Sequence, residues 1–456
     1  MGAPYVTVSQ RLAKAIGDAE AQMLAARRAA EERCACEDGM FPRVLTERRG
    51  FLFGAGSLAS SALLVVPASA FEAPSPPRVP ADPTKELGQP IEAGYGQRSP
   101  FETETRLAPL ANEYAAASLT PLDKSIGNLT PSGLHFERHH GGIPIIDPAR
   151  HWLYVHGGVQ TAKKFSMPDL KRFPSITRKY FIECSGNTSS EWTKPTLKTV
   201  QGTHGLLSTS EWTGVPFAML AREVGLAEDA AWVLAEGADS AVMTRSIPLE
   251  KMLSDGLLAY GQNGEAIRPA QGYPLRLILP GYEGNTHIKW LRRLEVSDKP
   301  FMTREETSKY TDLMGDGKAR QFTLIMDAKS VITFPSGEMR LPGAGFYTIS
   351  GLAWSGRGRV RSAEVSVDGG ESWASATLEN TPEPFCTVRF SFPWHWNGQP
   401  AILQSRCTDE TGYVQPTLKQ LVAARPSEAP TKSGYHLNAI QSWAVGADGS
   451  VINVHT

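Results

Sequence analysis

Phe181-Ile182-Glu183-Cys184-Ser185-Gly186-Asn187 is the stretch on which the reading of this chain turns. The run from Lys179 to Glu183 is apolar and aromatic enough to read as a strand. It delivers a cysteine directly into a Ser-Gly-Asn turn, which sets the sulfur at a strand end beside flexible backbone. A thiolate so placed can serve as nucleophile, redox thiol or soft metal ligand. A nucleophile wants a base nearby, which His140 or His204 can supply. The plainer reading is a buried, inert cysteine closing a strand.

Outward from that turn, Trp152-Leu153-Tyr154-Val155 and Leu275-Arg276-Leu277-Ile278-Leu279 read as further strands, and Pro216 to Val224 as a helix. The mixture predicts an α+β domain. Beyond about Phe301 the character changes. Phe346-Tyr347-Thr348-Ile349-Ser350, Ala363-Glu364-Val365-Ser366-Val367 and Cys386-Thr387-Val388-Arg389-Phe390 alternate with turn signals, and Asp368-Gly369-Gly370 is a hairpin-type turn. Short alternating strands of this kind predict an immunoglobulin-like β-sandwich. The expected division is an α+β domain over 101–320 and a sandwich over 321–456.

Toward the amino end, Glu47-Arg48-Arg49-Gly50-Phe51-Leu52 carries a twin arginine. An apolar run from Phe53 to Pro67 and then Ala68-Ser69-Ala70 follow. This is the layout of a cleavable signal for the twin-arginine export route, which carries folded proteins to the periplasm. The alternative is an uncleaved membrane anchor, for which the apolar run is short. Residues 1–70 are therefore an extension plus signal, with an amphipathic, Ala-rich helix from Gln10 to Arg33. Residues 71–100, rich in proline, form an extended arm. Cleavage removes Cys34 and Cys36 and leaves Cys184, Cys386 and Cys407. An odd number in an oxidising compartment leaves at least one thiol unpaired. Cys386 and Cys407 either pair or sit as two small buried hydrophobes.

Across all 456 residues, Lys plus Arg number 46 against 47 Asp plus Glu, so the net charge of -1 gives no electrostatic reason for a nucleic-acid partner. With 42 Gly and 33 Pro the chain is richer in turns than a helical bundle tolerates.

Cys184-Ser185-Gly186-Asn187 resembles the metal-binding turn of the sulfite oxidase family. Three further stretches match in that family's order. They are Phe136-Glu137-Arg138-His139-His140, then Gly272-Tyr273-Pro274-Leu275-Arg276 through His287-Ile288-Lys289-Trp290, then Ala353-Trp354-Ser355-Gly356 to Arg359 with Val365-Ser366-Val367-Asp368-Gly369-Gly370. The resemblance runs from about residue 105 onward. It implies a molybdenum ion held by the Cys184 sulfur and a molybdopterin dithiolene, in a molybdopterin domain followed by a dimerisation sandwich. It also implies that Phe136, Arg138, His139 and His140 lie against pterin and substrate. Ser185, Gly186, Asn187, Asp239, Gln271, His287 and Ile288 would complete the cofactor cradle, with Arg276 and Lys289 on its phosphate. A planar fork and a point charge suit that phosphate. Tyr260, before Asn263-Gly264, stands as the active-site tyrosine, and Arg138 and Arg359 face the substrate anion. For each residue alone the plainer readings are packing for Tyr260, a turn for Asp239 and solvated charge for Arg276, Lys289 and Arg359.

Departures from the family pattern bear on substrate. Sulfite-oxidising members commonly carry an arginine where this chain has Ser189. Gln271 stands where a cofactor-contacting histidine is frequent, Thr286 where an arginine is, and His204 where a pocket tryptophan is. Loss of one charge-assisted contact weakens the hold on free sulfite by roughly 1.5–3 kcal/mol. The resemblance is therefore nearest to the sulfane dehydrogenase branch, whose substrate is a sulfane sulfur on a carrier protein. No Cys-x-x-Cys-His haem motif occurs in the sequence, which directs electrons to a separate c-type cytochrome subunit. The assembly expected is a homodimer within a hetero-oligomer. A sulfite dehydrogenase, a sulfoxide reductase and a cofactor-free structural subunit are the rival readings.

Overall fold

The computed structural model describes residues 7–37, 96, 98, 99, 101–110, 116–313, 316–425 and 435–456. The twin arginine, the apolar run after it and nearly all of the Pro-rich arm lie outside these residues. No helix among the described residues is long and apolar enough to cross a membrane.

The α+β half is built on two sheets. In the first, the strands run in the order Lys163–Ser166, Trp152–Gly157, Leu291–Ser297, Trp232–Gly237, Thr244–Pro248. Leu291–Ser297 is parallel to Trp152–Gly157 and every other pair is antiparallel. The second places Leu207–Pro216 between Ile176–Glu183 and Leu257–Gln262, with Glu265–Ala266 and Arg276–Ile278 both paired to the latter. The helix Phe217–Val224 follows its strand directly and buries Phe217, Leu220, Ala221 and Val224 in the largest core. Its end is set by Gly225, at φ 63°, a conformation that costs a side-chain-bearing residue energy.

The carboxyl-terminal half is the expected sandwich. One sheet orders Lys329–Phe334, Gly345–Trp354, Val388–Trp396 and Thr377–Leu378. The other orders Ala374–Ser375, Val360–Ser366, Ala401–Asp409, Ser442–Val445 and Val451–Val454. Asp368-Gly369-Gly370 turns the chain from Val360–Ser366 into Ala374–Ser375, with both glycines at positive φ. Trp354, Trp396, Trp443 and Phe390 fill the space between the sheets. Cys386 and Cys407 are both free and buried, which resolves their two readings in favour of small hydrophobes. Fold class is therefore α+β with an appended sandwich.

The two halves meet along the strand Ile176–Glu183. Successive side chains of a strand face opposite ways. Phe181 joins the sandwich core beside Val331 and Trp354, whereas Ile182 joins a smaller core with Phe136 and Trp212. Glu183 again faces the sandwich. Its carboxylate accepts from Lys329 Nζ at 2.9 Å, Trp354 Nε1 at 2.6 Å and Asn187 Nδ2 at 2.9 Å. Glu183 and Lys329 are excluded from water, so neither charge has a solvent alternative to the other. Lys329→Met should therefore strand a buried carboxylate and cost about 3–5 kcal/mol, readable as a lower urea midpoint with an unchanged m-value.

Candidate active site

Cys184 follows Glu183, and the turn after it is tied on every side. Asn187 N–H donates to Cys184 O at 2.9 Å, and Cys184 N–H donates to Leu206 O at 3.0 Å. Asn187 Oδ1 accepts from Leu206 N–H at 3.2 Å. The sandwich clasps the same turn: His436 N–H donates to Ser185 O at 2.8 Å, and Thr188 Oγ1 to Leu437 O at 2.9 Å. Gly284 passes so close that a Cβ there would lie 2.7 Å from Glu183 O and 3.2 Å from Cys184 Cα. Only glycine fits that approach.

The sulfur side of the turn opens into a cleft of about 670 Å³, counted to its mouth. Phe136, Arg138, His139, His140, Cys184, Asp239, Gln271, Arg276, His287, Ile288 and Lys289 all line it, so residues scattered over the chain converge on one concave surface. Ser185 and Asn187 are buried behind the cleft wall and hold the turn rather than face the cavity. Gly186 lies in the same turn, near Tyr435.

The charge balance of this cleft is unusual. Arg276 is buried and donates only to the carbonyls of Gln271 and His287 and to Gln271 Oε1, at 2.9–3.3 Å. Lys289 donates to Ala270 O at 3.0 Å. No carboxylate among the described residues pairs with either, nor with Arg138. Burial consequently lowers Arg276 to about 9, and burial with the Arg276 charge lowers Lys289 to about 7. Glu137 and Asp239 line the same cleft and favour the charged form of Lys289, yet neither forms an ion pair with it or with Arg276, so the cations suit a bound anion. Gln271 sets the fork by accepting from Arg276 while donating to Phe136 O at 2.8 Å. His287 accepts from Leu279 N–H at Nδ1 and meets Tyr282 O at Nε2, 3.2 Å away, and burial holds it neutral with a pKa of about 3.

The thiol reading narrows accordingly. Burial raises the Cys184 pKa, so the free side chain is a protonated thiol at neutral pH. Of the two candidate bases, His140 lines the cleft, yet burial and Arg138 lower it to about 3. His204 faces a separate cavity, lies edge-on to Trp354 and is likewise held neutral by burial. Neither deprotonates a thiol well. A soft metal does so by coordination, and the donor set, a lone sulfur in one cleft with buried Arg276 and half-buried Lys289, suits a metal whose other ligands come with an anionic cofactor.

Two expected site residues stand elsewhere. Tyr260 lies on Leu257–Gln262, where alternation sends Leu258 and Tyr260 into the large core and Ala259 toward Cys184. Its ring sits under Lys171 Nζ at 5.8 Å, on the wrong face of the sheet for the cleft. Arg359 precedes the sandwich strand Val360–Ser366 and lines a different cleft with Glu383 and Glu410. The tyrosine that does line the cleft is Tyr310, after the short helix Arg304–Ser308. It is buried over the Arg245 guanidinium at 4.8 Å, and burial raises its phenol so that it stays protonated. Arg245 is itself buried between Glu283 and Glu306, at 2.8 and 2.7 Å, and His436 meets Glu283 at 2.9 Å. Glu137, Met243, Gly284, Asn285 and Trp290 complete the lining. Spacing in the sequence does not single out Tyr310. Its signal is the cluster Arg304-Glu305-Glu306, which supplies acids to bury against Arg245 and Thr244. Of the positions that depart from the family pattern, only Gln271 lines the cleft. Thr286 is buried and bonded to Glu283 O at 2.8 Å, and Ser189 lies in the turn beyond Gly186.

The comparisons with known proteins agree with this geometry. The family described as "Oxidoreductase molybdopterin binding domain" matches residues 140–305, and "Mo-co oxidoreductase dimerisation domain" matches 320–436. The crystal structure of the sulfane dehydrogenase SoxCD from Paracoccus pantotrophus is similar at 43% identity and a TM-score of 0.78. That match covers 81% of this chain and 96% of the other. The chain belongs to the sulfite oxidase family of molybdopterin oxidoreductases. Mouse mitochondrial sulfite oxidase is 34% identical over 59% of this chain, and nitrate reductase [NADH] of Cichorium intybus is 31% identical over 65%. The matched region spans 52% and 36% of those two relatives. Arg276 and Lys289 in the cleft that Cys184 lines are chemically suited to an anionic cofactor of the kind the matched domain is described as binding.

Two measurements test the site. The folded pKa of Lys289 lies below its ordinary 10.5. Between pH 7 and 10 the unfolded chain therefore binds the extra proton, and cofactor-free protein should gain stability as pH rises. The slope due to Lys289 is at most about 1.4 kcal/mol per pH unit. It should disappear in Lys289→Met and in the loaded protein; a slope unchanged by both would remove Lys289 from the anion site. Tyr310→Phe should lower turnover of a sulfur substrate about tenfold or more, with Tyr260→Phe close to wild type, in steady-state assays of the loaded enzyme.

Proposed function

We propose that this chain is a molybdenum enzyme that oxidises a sulfane sulfur carried by a partner protein. It works in the periplasm after twin-arginine export and passes electrons to a c-type cytochrome subunit. The observation that carries the enzyme reading is the buried Arg276 and half-buried Lys289, without an ion-pair partner among the described residues, in the cleft that Cys184 lines. A structural subunit without a cofactor would keep a costly charge arrangement for no return.

Molybdopterin-bound molybdenum supplies two-electron redox chemistry at the sulfur. The protein's own share is binding and electrostatics. Cys184 contributes the protein thiolate to the metal. Arg276 and Lys289 neutralise the cofactor phosphate, and Gln271, Asp239, His139, His287 and Ile288 shape the wall around the pterin. Arg138, donating to His139 O at 2.8 Å, points a guanidinium into the same cleft and offers the substrate anion a partner. Tyr310 provides a protonated phenol as hydrogen-bond donor.

Two features favour a carrier-bound sulfane over free sulfite. His140 is held neutral in the cleft, and a serine occupies position 189, beyond the metal turn, so neither position adds a cation for a doubly charged small anion. The likeness to a sulfane dehydrogenase over 81% of this chain supports the same choice. Sulfite dehydrogenase is the second reading, favoured by Arg138. The sandwich is proposed as the surface through which two copies of the chain pair.

Cys184→Ser should keep the fold and the pterin, seen by circular dichroism and pterin fluorescence, and lose at least about a thousandfold in turnover. Wild-type activity in that variant, or protein isolated from its native host without molybdenum, would sink the enzyme reading. Faster cytochrome c reduction with free sulfite than with a persulfidated carrier would shift the substrate to sulfite.

A further inference from the structure

The helix Val8–Glu37 lies ahead of the export signal in the chain, yet it packs on the catalytic half. Val8, Leu12, Ala15, Ile16, Ala19 and Met23 fall at the spacing of one helix face. Val8, Ala15 and Ala19 are buried, and Leu12, Ile16 and Met23 pack against the same core that contains Phe217 to Val224 and Leu291. Lys14 and Asp18 on the other face are exposed. Polar contacts fix the crossing: Ser9 Oγ donates to Glu228, and Glu20 faces Arg222 at 3.9 Å. Both partners belong to the helix Phe217–Val224 and the loop after it, so the amino-terminal helix lies across that face.

The order of these segments in sequence gives the contact its meaning. The twin arginine begins at Arg48 and the cleavage-type sequence ends at Ala70, so processing there severs the helix from the domain it rests on. What remains is a non-covalent contact through one stripe of six apolar side chains, of which Leu12, Ile16 and Met23 are only partly buried. Such a contact is weak between separate molecules. Within one chain the tether supplies an effective concentration on the order of a millimolar or somewhat below, enough to keep a weak contact closed. The core that receives the stripe is assembled from strands and helices far apart in sequence, so an unfolded catalytic half offers no such surface.

We propose that this helix is an intrachain clamp. It binds only the folded catalytic half, keeps the export signal tethered to a domain that has already folded, and leaves with the signal on processing, uncovering the face that carries Arg222 and Glu228. The inference rests on the export reading above and is independent of the sulfur chemistry.

Hydrogen exchange on the full chain tests the clamp. Amides of residues 8–23 should exchange at least tenfold more slowly than in a synthetic peptide of residues 7–30. Leu12→Glu with Ile16→Glu should abolish that difference while strands such as Gly345–Trp354 keep their protection. Equal rates in chain and peptide would overturn the clamp, as would protection that survives both substitutions. Release is tested on protein purified from the native host. An amino terminus after residue 70 supports it; a chain still carrying residues 7–23 overturns release and the export reading, and leaves the exchange result to decide the clamp.

Discussion

The arrangement depends on a carboxylate that has no water. Glu183 is the last residue of its strand, and its two oxygens are satisfied by Lys329, Trp354 and Asn187. Two of these partners come from the sandwich and one from the turn after Cys184. Because a buried charge must be matched with good geometry or not ionise, the strand end, the turn and the first two sandwich strands are set in one relation. The next residue is Cys184. The position of its sulfur is thus fixed by the carboxyl-terminal half as much as by the strand that carries it.

A second, opposite use of burial operates across the cleft. At Glu183 the opposing charge is built in, whereas no carboxylate among the described residues forms an ion pair with Arg276 or Lys289. The first arrangement rigidifies. The second carries unfavourable electrostatic energy that a bound anion would relieve, which would make ligand affinity part of the energetics of the fold. Tyr310 connects the two regions, since its ring stacks on the Arg245 cluster that also takes in His436 from the sandwich side. The sandwich therefore braces the site from behind, through His436, Lys329 and Trp354, while the described residues that line the cleft all come from the α+β half.

The amino-terminal helix adds a third contact of different strength. Its single stripe, Val8, Leu12, Ala15, Ile16, Ala19 and Met23, is narrow compared with the Trp-rich sandwich core. Strong packing holds what must persist, and weak packing suits what must leave.

Much of this was legible in the residues themselves. The strand ending in Cys-Ser-Gly-Asn, the hairpin at Asp368-Gly369-Gly370 and the helix from Phe217 follow from local patterning and turn chemistry, which act over a few neighbours. The grouping of Phe136, Cys184, Asp239, Gln271, Arg276 and Lys289 was legible through ordered motifs. Tyr260 and Arg359 were placed by spacing, and spacing does not say which face of a sheet a side chain takes or which end of a sandwich a loop occupies. Alternation along Leu257–Gln262 turned Tyr260 toward the large core, and the fold brought Tyr310, distant from every motif, into the cleft lining. Whether a charge is matched or left open is likewise invisible in a sequence whose totals nearly cancel. Local conformation is written in adjacent residues, but the compensation of buried charge is decided only when distant segments close around it.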